Sequence, residues 1–167
     1  MASDAVATKQ QENASAFTFQ KYIESGGRTM PTFREIASIY PNVNAQWMRT
    51  FEEQAIVLKG YLKYETGYNY SRDTGIMPFL EQIAKKYCGV EGGSRIFATK
   101  DTWNPMDIVM VKKSQESSIM RTIQELVTIE GMTERGNLTL LNSIMYESLK
   151  SKDIIPISLK AINLPLF

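Results

Sequence analysis

Apolar residues recur along this chain with two different periods. In the first third the spacing is helical. Phe17, Tyr22 and Ile23 lend the segment from Ala14 to Glu24 a weak stripe, which Gly26 and Gly27 end. Pro31 and the Thr32-x-x-Glu35 spacing predict a second helix start, with Phe33, Ile36, Ala37 and Tyr40 on one side before Pro41. A longer helix is predicted from about Asn44, because Trp47, Phe51, Ala55, Leu58 and Leu62 repeat at its period. The leading residues MASDAVATKQQENASAF carry neither the basic flank nor the apolar stretch of a secretory signal and read as a mobile arm feeding the first helix.

After a polar, glycine-containing link from Glu65 to Gly75 the character changes. Ile76, Phe79, Leu80, Ile83 and Tyr87 form a helical stripe, and Gly89, Gly92 and Gly93 punctuate its end. Ser94 to Ala98 reads as a short strand. Asn104-Pro105 then opens Met106 to Val111, a run apolar everywhere except Asp107, as expected of a strand buried on both faces. A helix is expected from about Glu116 to Glu130 on Ile119, Ile123, Leu126 and Val127, and another capped by Asn137 and carrying Leu138, Leu141, Ile144, Met145 and Leu149. Ile154 to Ile162 reads as the last strand. The order predicts an α/β or α+β fold, a small mixed β-sheet flanked by helices and preceded by a helical N-terminal region, divided into residues 1–70 and 71–167.

Composition sharpens this mainly through what is missing. None of the 167 residues is histidine, which removes His-ligated metals, Ser/His/Asp and Cys/His nucleophiles and an imidazole pH switch. Any chemistry falls to carboxylates, lysine, serine or backbone. With 43% hydrophobic and 22% charged residues the chain has the makings of a packed core, and one cysteine excludes a disulfide framework. No apolar run is long enough to cross a bilayer, so no membrane partner is expected and the location reads as cytoplasmic or virion. A net charge of +1 leaves partners undecided. Cys88 reads as buried packing and the nine methionines as core filling, while Lys85-Lys86 and Lys112-Lys113 are either contacts for a nucleic-acid backbone or solvated surface. Trp47, Tyr61, Tyr64, Tyr68 and Tyr70 suit a core, a protein interface or a base-stacking platform. The apolar ending NLPLF reads as a chain that continues or a tail that docks on a partner.

Two polar residues interrupt apolar strands. A carboxylate at Asp107 must be hydrogen-bonded, paired or bound to a cation. It either accepts N–H groups of its own turn or serves as a divalent-metal ligand. In Ile157-Ser158-Leu159-Lys160-Ala161 the two-residue period puts Ser158 and Lys160 on one face. Lys160 either snorkels to solvent at a sheet edge or stands beside a metal, where a carboxylate and a backbone carbonyl hold Mg²⁺ while lysine orients water or steadies a phosphate.

Asn104-Pro105-Met106-Asp107-Ile108, followed after a helical insertion by Pro156-Ile157-Ser158-Leu159-Lys160, resembles the metal-site pattern of the PD-(D/E)XK nuclease superfamily, the restriction-endonuclease-like fold. The resemblance covers roughly residues 76 to 162. It implies a Mg²⁺-dependent endonuclease acting on DNA, active or degenerate. Asp107, the carbonyl of Leu159 and Glu81 would hold the metal, and Asp107, Glu81 and Lys160 would be the catalytic set. Ser158 departs from the family, standing where Asp or Glu is usual, and a neutral hydroxyl is a poorer ligand for a hard cation. A second reading is a non-enzymatic structural or assembly protein, such as a virion component, acting through protein partners or as a homo-oligomer. Near-zero net charge and an aromatic-rich helical first half suit it.

Overall fold

The computed structural model describes residues 4–89, 107–129 and 131–159. The chain divides into two compact units, one built on the residues up to Gly67 and the other spanning Tyr68–Ser158.

The first unit is helical. Helix α1 (Asp4–Glu24) begins well before the weak stripe, so the expected leading arm is helix from Asp4 onward. Alanine, glutamine, lysine and glutamate favour helix there, and no glycine or proline intervenes before Gly26. Periodicity hid this helix because its buried positions include Gln11, Ser15 and Thr18 beside Ala14, Phe19 and Ile23. Thr18 satisfies its hydroxyl inside the helix, donating to the Ala14 carbonyl at 2.8 Å. Gly26 and Gly27 end α1 at φ of +69° and +80°, their N–H groups donating to Ile23 and Tyr22.

Helix α2 (Phe33–Ile39) starts at the capping box expected from sequence. The Glu35 N–H donates to Thr32 Oγ1 at 3.2 Å, and the Thr32 N–H donates to Glu35 Oε2 at 2.8 Å. Asn44 caps a 3₁₀ turn (Ala45–Trp47) that runs into α3 (Met48–Leu62). Phe51, Ala55 and Leu62 are buried on the inner side of α3, and Phe51 joins Ala14, Ile36 and Val43 in a cluster edged by Trp47. The Trp47 and Phe51 rings lie 6.3 Å apart, so Trp47 packs half-buried at the edge of this cluster.

The second unit is a three-stranded sheet with helices packed against it, the α/β architecture expected, with the described strands antiparallel where a mixed sheet was expected. Strand order is β1 (Tyr68–Ser71), β2 (Ile108–Lys112), β3 (Ile154–Ile157), with both pairings antiparallel. β2 is central and its residues Ile108 to Val111 are fully buried, which accounts for the unbroken apolar run. Val109 and Val111 pack with Ile76 and Leu80 of α4 (Ile76–Tyr87), Ile123 of α5 (Glu116–Val127) and Leu141 and Met145 of α6 (Glu134–Lys150). Pro156 has no N–H to give and sits in β3, a sheet edge, where that loss is tolerated.

Four expectations need correcting. The link from Glu65 to Gly75 contains β1, whose sequence Tyr-Asn-Tyr-Ser has no apolar run and becomes a strand by pairing with β2. The last strand ends at Ile157, so Ser158 lies beyond it rather than on one of its faces, and the rest of the expected run, from Lys160 to Ile162, lies outside the described residues. Helix α5 stops at Val127, short of Glu130. Asn137 does not cap its own helix: Thr133 holds that place, accepting from the Gly136 N–H at 3.0 Å, while Asn137 is buried inside α6 and donates its amide to the Tyr87 carbonyl at 2.9 Å, closing the end of α4. The strand expected at Ser94 to Ala98 lies outside the described residues.

Candidate metal site at the sheet end

Asp107 immediately precedes β2. Its N–H donates to the Ile157 carbonyl at 2.9 Å, continuing the β2–β3 ladder one step beyond the Ile108↔Ile157 pair. Asp107 and Ile157, separated in sequence by two helices, therefore meet at one end of the sheet. Asp107 and Ser158 are both half-buried there. Leu159 groups with the first unit, and Lys160 lies outside the described residues.

Glu81 lies on α4. At 100° per residue it falls beside Met77 and Cys88 at the margin of the buried stripe formed by Ile76, Leu80 and Ile83. The side chain is half-buried, and its Oε1 is shielded from solvent without a hydrogen-bond partner. Buried acceptors are normally satisfied, so an orphaned carboxylate oxygen suits a ligand position. Among the described residues no three Cys, Asp or Glu side chains come together to hold a metal. A Mg²⁺ ion commonly uses only one or two carboxylates and keeps several waters.

Cys88 is buried, as expected. Burial pushes its thiol pKa up, and the nearby Glu134 carboxylate adds to the shift, so it is protonated at neutral pH and unsuited to nucleophilic work. The Lys85-Lys86 pair is exposed on the last turn of α4, with Lys86 Nζ 5.2 Å from the Tyr87 ring centre.

Sequence inspection missed the junction that leads into α4. Ser71 Oγ accepts from the Met77 N–H at 2.9 Å and donates to the Thr74 carbonyl, capping the helix from six residues upstream while Gly75 turns at φ +81°. Asn69 of β1 donates to Glu116 Oε2 at 2.5 Å, tying the strand to the first turn of α5. Serine so far ahead of a helix matches no local capping pattern; only the β1 pairing brings it there.

The aromatic set divides by position. Tyr68 is buried and donates its hydroxyl to the Lys152 carbonyl at 3.1 Å, and Tyr70 is half-buried, while Tyr61 and Tyr64 are exposed. No helix among the described residues is long and apolar enough to cross a membrane. No protein-family model, curated protein or solved structure matches this chain.

Proposed function

We propose that the sheet end at Asp107 is the metal site of a nuclease-like domain acting on DNA phosphodiesters. The observation that carries this reading is the 2.9 Å hydrogen bond from the Asp107 N–H to the Ile157 carbonyl, which brings the aspartate-bearing segment alongside the end of β3, where the Ser158 position begins. The resemblance predicts that neighbourhood and local sequence alone does not impose it. Glu81, with its buried and unpartnered Oε1, supports the reading as a second carboxylate.

Asp107 and Glu81 would hold Mg²⁺, which when bound supplies Lewis-acid polarisation of a phosphate oxygen and a more acidic water. The hydrogen bond from its own N–H anchors the Asp107 main chain at the sheet end, on a rigid element as a ligand position requires. Lys160 and the Leu159 carbonyl take their parts from the resemblance alone. Ser158 contributes no negative charge, so weak metal affinity is expected.

The test combines Mn²⁺ and Mg²⁺ titration calorimetry with cleavage of supercoiled plasmid DNA. Wild-type protein is expected to bind the ion and nick the plasmid, and D107A and E81Q to lose both while keeping their circular dichroism. K160A is expected to bind the ion without cleaving. If wild-type protein neither binds Mn²⁺ nor nicks DNA, the reading fails and a non-enzymatic assembly role takes its place.

A further inference from the structure

The outer side of the second half of α3 is apolar, beyond the Arg49–Glu53 pair on the same side, although nothing in the described structure covers it. Ile56 is 53% exposed, Val57 73% and Tyr61 60%, and Tyr64 in the turn after the helix is 97% exposed. At 100° per residue Val57 and Gly60 lie opposite the buried Phe51, Ala55 and Leu62. A side chain built at Gly60 would meet nothing within 4 Å, so the centre of this stripe is open to a close approach. Single exposed apolar residues are ordinary, but a stripe of this kind on one helix marks a contact surface.

Charge along the same helix selects the occupant. Glu52 and Glu53 belong to its first half, and exposed Lys63 follows its last residue. Glu53 is paired with Arg49 at 2.8 Å, whereas Glu52 makes no ion pair among the described residues. Antiparallel placement of a second α3 lays Glu52 of each copy towards Lys63 of the other, and the midpoint of that pairing falls at about residue 57 or 58. The apolar stripe from Ile56 to Tyr61 has nearly the same midpoint. One two-fold axis at about residue 58 therefore serves both patterns to within one residue, with Val57 of each copy near Gly60 of the other. A parallel arrangement would set Glu52 against Glu52 and Lys63 against Lys63.

We propose that α3 is the contact helix of a two-fold homodimer in which the two copies of the helix run antiparallel. The proposal is independent of the metal-site reading. One helix face is a small interface, so a weak, reversible dimer is expected.

Sedimentation velocity of the full chain over roughly 1 to 200 µM tests it, since a small interface corresponds to micromolar dissociation. The expected result is a concentration-dependent monomer–dimer equilibrium. V57E should weaken the dimer about a hundredfold by burying a charge at its centre. E52K and K63E should each weaken it about tenfold, and the E52K/K63E double variant should restore wild-type association. Circular dichroism melts check that every variant remains folded. A monomer throughout the range overturns the proposal, as does a dimer indifferent to V57E; failure of the double variant to recover overturns the antiparallel arrangement.

Discussion

Strand β2 and the middle of helix α1, from Gln11 to Phe19, both lie largely buried, but they are buried by different means. In β2 every position from Ile108 to Val111 is apolar and fully enclosed. In α1 the enclosed positions include Gln11, Ser15 and Thr18, with alanines at Ala14 and Ala16. β2 draws its stability from burial of large side chains, and its apolar run announces itself in the sequence. α1 is marked by helix-forming composition and by small side chains that permit close packing. A central strand tolerates almost no polar substitution, whereas a helix of this sort carries polar groups whose replacement costs little.

The contrast can be broken most forcefully in the second unit. Leu80, fully buried on α4 against β2, should lose about 2–5 kcal/mol of stability on Leu80→Ala. Urea unfolding would show it, and a loss below 1 kcal/mol would mean that the cluster around the sheet is loosely packed. Next in size is Asn137→Ala, which leaves the Tyr87 carbonyl without its amide donor and should cost about 1–3 kcal/mol. Hydrogen exchange at the end of α4 should quicken in the same variant.

In the first unit Gln11 provides the opposite test. Its Oε1 is buried without a hydrogen-bond partner, so Gln11→Met should raise stability by up to about 1 kcal/mol. Thermal melts would record this as a higher midpoint; a lower one would show that the amide makes interactions α1 depends on, erasing the contrast with β2.

The smallest effect concerns Glu35. The hydrogen bond from Lys21 Nζ, at 2.5 Å, is the main influence lowering its carboxyl pKa below the ordinary 4.5, followed by the Thr32 backbone N–H. A lowered folded-state pKa means that the contribution is complete above the unfolded value and disappears as pH falls through the folded one. Gln at the same position keeps the capping reach but not the charge. Wild-type protein should therefore melt slightly above Glu35→Gln at neutral pH, with the gap closing in acid. A gap that persists at acid pH would assign the difference to packing instead.

Legibility followed the range of the interactions involved. Thr32 and Glu35 were recognisable because a capping box is complete within four residues. The stripe on α4 and the run in β2 were recognisable because amphipathic period and continuous burial leave direct marks on composition. β1 was not, since Tyr-Asn-Tyr-Ser is equally at home in a loop until Tyr68↔Lys112 and its companions pair. Asn137 misled for a related reason: its residue type suggests a cap, and it does serve a helix end, but the end of α4 rather than the start of α6. At the candidate site, the carboxylate anomaly at Asp107 was visible in the run that it interrupts, whereas the hydrogen bond to Ile157 that joins it to the last strand was not. Glu81 was visible as a glutamate at the stripe margin; its unpartnered oxygen depends on how α4 packs.

Sequence by itself therefore determined the helical first part, the main helices and central strand of the second, and the exclusion of histidine chemistry. These rest on composition and on periods written into neighbouring residues. Tertiary structure alone decided that polar residues of α1 are enclosed, that β1 is a strand, that Ser71 and Asn137 cap α4 at its two ends, and that Asp107 meets Ile157. Each depends on groups brought together across long stretches of chain, where no local propensity reaches and only the packing of one complete unit sets the partners.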